Sequence, residues 1–193
     1  GLTRNGPVKP FTQLLTKHAN SPDPVAQFVV HRALGEILSG AEKKLAALEH
    51  FDRAIAVMEA AYARCASPHR DSLNNIYLLK IEACQRFNRM EEAKSTAWAG
   101  ANHFMKTGRF DSMEHFNASS LWIYESTIGR LYRYCVMECV DEGQEQQALA
   151  VCDTHLAAAK SAWAISESWP VISAKREELL ARLAGTPVPD LSG

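Results

Sequence analysis

The sequence lacks an excess of charge of either sign. Its 21 lysines and arginines stand against 22 aspartates and glutamates, so no net field draws the chain to nucleic acid or to an anionic lipid surface. No apolar run approaches the length of a membrane span, and the N-terminus lacks the apolar core of a signal peptide. Short catalytic signatures are missing too. No Glu is followed three residues later by His, the pair that a dinuclear iron bundle needs, and His-Glu-x-x-His is absent. So are the phosphate loop Gly-x4-Gly-Lys-Ser/Thr, the Gly-x-Gly-x-x-Gly turn and the Gly-x-Ser-x-Gly elbow. Neither an enzyme class nor a cofactor is indicated. Valine and isoleucine do not alternate with polar residues in runs, so no segment reads as a strand.

What is present is enough apolar side chain to build a core. Hydrophobic residues make up 47% and charged residues 22%, which excludes bulk disorder and fits one domain or one short solenoid. The five cysteines, Cys65, Cys84, Cys135, Cys139 and Cys152, are an odd count set among apolar residues at helical spacing. That pattern points to reduced, buried thiols and a cytoplasmic location. The chain opens on Gly1-Leu2 without an initiator Met, and we expect it to be a piece of a larger chain or complex.

Capping residues divide the sequence into helices. Pro10 opens a short one through Phe11, Leu14, Leu15 and His18, and Asp23-Pro24 starts the next as N-cap and first helical residue. Segments at about 24–39, 41–66, 72–87 and 90–106 follow, the first ending near Ser39-Gly40 and the third at Asn88. Asp111 caps a stretch to about 141 that is long enough to break near Ser119-Ser120 or Gly129. Gly143 precedes a helix at about 144–166, and Pro170 begins a last one that ends before Gly185. We therefore expect a tail and short helix over 1–20, a helical domain over 21–184, and a flexible tail over 185–193.

The spacing inside the first long pair is specific. Gly35, Ala47, Phe51 and Ala54 stand at intervals of twelve, four and three residues, and Leu34 precedes the glycine. Antiparallel helices approach closely only where one carries Gly or Ala, and a ring must fill the space beside that contact. This Leu-Gly and Ala-x3-Phe pattern resembles the tetratricopeptide repeat. Weaker echoes centre on Ala93, with Tyr77, Ile81 and Cys84 before it and Ala97 and Gly100 after, and on Ala148, with Tyr132, Cys135, Val136 and Cys139 before it. The three alanines lie 46 and 55 residues apart, against a family period of about 34. The resemblance thus implies an irregular all-α array of antiparallel helical hairpins with about seven or eight helices, one good repeat and two degenerate ones.

The resemblance also implies a role. In the family, first helices of successive hairpins line a groove for a peptide or a partner protein. Carried over, the groove positions are Val29, Arg32 and Glu36, then Asn75, Leu78 and Glu82, then Arg130, Arg133 and Met137. A clamp for a chaperone's C-terminal carboxylate would want basic and Asn residues where this chain has Glu36, Leu79 and Tyr134. The expected ligand is therefore a peptide or protein of mixed charge, with Arg32, Glu36, Asn75, Glu82, Arg130 and Arg133 as its contacts.

Two other readings rest on different residues. Cys135-x3-Cys139 and Cys152-x2-His155 are each one helical turn apart and would give a zinc or redox site if they converged. The same four residues fit packing positions between close helices, the preferred reading. Trp98, Trp122, Tyr124, Tyr132 and Tyr134 make the middle of the chain aromatic; Trp122 and Tyr132, with Arg130 and Arg133 nearby, would suit a stacking surface for RNA or a peptide, while filling helix crossings is the preferred reading.

Overall fold

A computed structural model describes residues 8–62, 75–107, 125–160 and 166–185. Among the described residues the protein is all-α, with eight α-helices and no strand. They are α1 (Val8–His18), α2 (Pro24–Gly40), α3 (Lys44–Tyr62), α4 (Ile76–Arg86), α5 (Met90–Thr107), α6 (Arg130–Glu138), α7 (Glu145–Ala159) and α8 (Trp169–Leu183). A five-residue π-helical turn, Glu125–Gly129, leads into α6. The chain divides into two compact units, Gly1–Ala93 and Lys94–Gly193, with the division falling inside α5. The start of the helix expected at about 72–87, the cap at Asp111, the break at Ser119-Ser120, Cys65, Trp122, Tyr124 and the tails 1–7 and 186–193 lie outside the described residues.

The first unit is built on the α2–α3 hairpin. Asp23 caps α2 as its residue type requires: the carboxylate accepts from the backbone N–H groups of Val25 and Ala26, and Pro24 occupies the first turn. Leu34, Ala47, Phe51 and Ala54 are all buried. Gly35 is the point of closest approach, for a Cβ built there would lie 2.7 Å from Cδ1 and Cε1 of Phe51. Only a residue without a side chain lets α3 come this near. Helix α1 adds Leu15 and the following Ala19 to a cluster with Val30, Leu34 and Leu38 of α2.

Helix α2 ends at Gly40, within the expected Ser39-Gly40 stop. The chain then turns at Glu42, in the left-handed region at φ 58°. The Glu42 N–H donates to the Ser39 carbonyl at 3.1 Å and the Lys43 N–H to the Leu38 carbonyl at 2.9 Å, the paired bonds of a Schellman ending. Asn88, also at φ 58°, ends α4 by the same two bonds, to Gln85 at 3.0 Å and Cys84 at 2.8 Å. Polar ties run between the helices: Arg86 Nη1 donates to Ser39 Oγ at 3.0 Å, and the buried Lys80 Nζ meets Asp52 at 2.6 Å and Glu92 at 3.5 Å.

The second unit packs α6, α7 and α8 together with the remainder of α5. Helix α7 presents Ala148, Val151, Cys152, His155 and Ala158 to the interior, one stripe at helical spacing. Helix α8 answers with Ile172 and Leu179, and Arg176 Nε donates to Asp153 on α7 at 2.6 Å. Trp98 of α5 donates its indole N–H to the Cys139 carbonyl at 3.1 Å, satisfying an acceptor that the end of α6 would leave open. Gly143, at φ 86°, makes the turn into α7.

The Gly35 contact yields a sign-reversing prediction. In the native chain Gly35→Ala should destabilise, because overpacking costs about 1–3 kcal/mol against about 1 kcal/mol gained in helix propensity. Phe51→Ala should cost about 3–5 kcal/mol. In the Phe51→Ala background, denaturant titration should find Gly35→Ala neutral or stabilising, since the clash is gone and the propensity gain remains.

Candidate binding surface

Helix α2 has one buried side and one open side. Phe28, Val30, His31, Leu34, Gly35 and Ser39 face inward. Val25, Val29, Arg32 and Glu36, spaced by four, three and four residues, form a stripe on the other side. Val25 is 62% exposed and Val29 54% exposed, while Arg32 Nε holds Glu36 Oε1 at 2.8 Å. Two apolar side chains beside a local ion pair make a surface that can take an apolar anchor and a polar flank. Sequence reasoning placed Val29, Arg32 and Glu36 here and missed Val25, although the i, i+4 spacing from Val29 was its signal.

On α4 the expected groove residues differ in exposure. Glu82 is exposed, and Asn75 sits at the N-cap with no side-chain capping bond. Leu78 is not a groove residue; it is only 5% exposed. Tyr77, Lys80, Ile81, Ala83 and Cys84 are buried with it, so most of the circumference of α4 is covered. The repeat register assumed a helix with a free side, and α4 has little of one.

In the second unit Arg130, Arg133 and Met137 fall on one exposed stripe of α6, with Met137 43% exposed. Tyr132, which a stacking surface would need in solvent, is buried instead, its ring edge-on to His155 with centroids 6.4 Å apart. Trp98 is likewise buried, by the bond to Cys139 described above.

Cys135, Cys139, Cys152 and His155 are all buried. The structure brings Cys135 and Cys139 together through a thiol hydrogen bond, which raises Cys135 far above the ordinary thiol range, with burial adding to it. The same bond lowers Cys139, helped by Tyr134 and Lys94 and opposed by burial. Burial pushes Cys152 up to about 12 and Cys84 up to about 11. Among the described residues no three His, Cys, Asp or Glu side chains are grouped to hold a metal ion. These four residues fill space between helices.

One close polar pair escaped sequence reasoning. His31 and His50 face each other across the α2–α3 hairpin. His31 lies one turn ahead of Gly35 on the same face, and His50 adjoins Phe51, so the spacing that located the close contact also bordered the pair.

The chain matches no protein-family model, no curated protein and no solved structure.

The burial of the thiols is testable without any partner. Brief maleimide labelling of the native chain, read by peptide mass, should leave Cys84, Cys135, Cys139 and Cys152 unmodified and label all four after denaturation. Rapid native modification of any of them would contradict the packing described.

Proposed function

We propose that the chain is a non-catalytic protein-interaction module, tetratricopeptide-like in its first hairpin, that takes a peptide or a segment of a partner protein. The observation that carries this reading is the α2 stripe. Its two exposed valines stand beside a preorganised Arg32–Glu36 pair on a helix whose opposite side is locked by the Gly35–Phe51 contact. A rigid backbone lowers the ordering cost of binding. The valines supply apolar anchors, and the ion pair favours a ligand of mixed charge.

Glu82 and Asn75 extend the contacts of the first unit, and the Arg130, Arg133 and Met137 stripe offers a basic and apolar patch on the second. This reading supplies no role for a cofactor, a nucleic acid or a membrane. The cytoplasm is the proposed compartment, on the strength of four buried, unpaired thiols.

Probing an arrayed peptide library with the purified chain tests the reading. Peptides selected by the wild-type chain should bind Val29→Glu or Arg32→Glu about tenfold more weakly, a loss of about 1.4 kcal/mol. Circular dichroism should show the helical content unchanged. Arg130→Glu tests the second patch in the same way. Undiminished binding by folded Val29→Glu and Arg32→Glu would remove the α2 site.

A further inference from the structure

His31 on α2 and His50 on α3 meet ring to ring, with Nδ1 atoms 2.9 Å apart, centroids 5.1 Å apart and planes tilted by 31°. Two ring nitrogens at this distance require one proton between them. Without it two lone pairs face each other, and with two protons the N–H groups collide. The Ala19 carbonyl accepts a further hydrogen bond from His31. Since Nδ1 of His31 faces His50, Nε2 is the nitrogen left to donate to Ala19. That holds neutral His31 in the Nε2–H tautomer and makes His50 the donor across the hairpin. The outcome is a relay from His50 to His31 to the Ala19 carbonyl, joining α3, α2 and the residue that follows α1.

The surroundings decide how the relay responds to added protons. On α3, Glu49 and Arg53 bear on both rings, the carboxylate favouring proton uptake and the guanidinium opposing it. They also pair with each other at 2.5 Å. On the α1 side the neighbours of α2 are Leu15 and Ala19, packed with Val30, Leu34 and Leu38, which supply no countercharge. The first added proton goes to Nε2 of His50, the one ring nitrogen outside the relay. The imidazolium still donates to His31, but in a half-buried place beside Arg53. A second proton has only Nδ1 of His31 to bind, and there it sets N–H against N–H and breaks the contact.

We propose that His31 and His50 form a proton-sensitive latch, which ties α1, α2 and α3 together until both rings are charged and releases them in mild acid. Burial lowers both imidazoles below their ordinary value; Arg53 adds to this at His31, and at His50 the repulsion that arises when both rings are charged, and then Arg53, add to it. The sign follows. In the unfolded chain the imidazoles keep a value near about 6.5 and bind more protons than the folded pair as the pH drops through it. The latch therefore contributes fully above that pH and loses its contribution progressively below it.

Imidazole Cε1–H resonances of the whole chain, followed by NMR from about pH 8 to about pH 5, test the latch directly. His31 and His50 should both titrate below about 6.5, each responding to the protonation of the other. Amide exchange in α1 and α2, corrected for its intrinsic pH dependence, should accelerate over the same interval. His50→Gln keeps an N–H that can donate to His31 but has no titrating proton, so its denaturation midpoint should fall less on acidification than that of the wild type. Two independent titrations at or above about 6.5 would overturn the proposal, as would an equal fall of the midpoint in His50→Gln.

Discussion

The ring of Phe51 occupies the space that a side chain at position 35 would need, with ring atoms 2.7 Å from where a Cβ would stand. Much of the first unit follows from this single contact. It sets the distance between α2 and α3 and fixes their register, since sliding either helix by a turn would set the ring against a residue with a side chain, His31 or Ser39, in place of Gly35. The register then places His31 against His50 and turns Val25, Val29, Arg32 and Glu36 outward. The contact is worth more than the buried area of a phenylalanine, because interiors are close-packed and a ring confined on all sides cannot yield to an added methyl group. Phe51 is 1% exposed, so no open direction is left to it.

The second unit is held differently. Small residues on α7, together with Cys135 on α6 and Cys139 at its C-cap, permit close approach without one dominant ring. Polar groups at helix ends supply direction. Trp98 takes the Cys139 carbonyl, Lys94 reaches Asp141 at 2.8 Å, and Gln147 Nε2 donates to Asn102 at 3.3 Å. An ion pair as exposed as Lys94–Asp141 stabilises by at most about 1 kcal/mol, whereas losing the indole bond would leave a buried donor unsatisfied, at about 1–3 kcal/mol. The thiols contribute through volume and polarizability, and burial moves Cys84 and Cys152 still further from ionisation at neutral pH.

Local chemistry made much of the helical layout legible. Asp23-Pro24 announced a start because the carboxylate and the fixed proline φ both suit a first turn. Asn88, Gly143 and Gly185 announced ends because each tolerates positive φ. The end of α2 near Ser39-Gly40 was legible as well, but its left-handed residue is Glu42, which no residue preference singles out. The burial of Leu78 was illegible for another reason. It depends on how many neighbours cover α4, a tertiary fact that a two-helix spacing cannot contain. The π-helical turn before Gly129 falls where a helix break was one of the expected outcomes, but its kind was not written in the residues. Of the exposed stripe on α2, the resemblance to the tetratricopeptide repeat pointed to three residues; the fourth, Val25, and the histidine relay became visible only once both helices had a register.

The central claim is that α2 and α3 are locked at Gly35. A two-dimensional NOE spectrum of the native chain addresses it most directly. The α-protons of Gly35 should show strong cross-peaks to the Phe51 ring protons and chemical shifts displaced far from the random-coil value by the ring current. Random-coil shifts for Gly35 without cross-peaks to Phe51 would contradict the hairpin, and with it the register on which the surface and the latch depend.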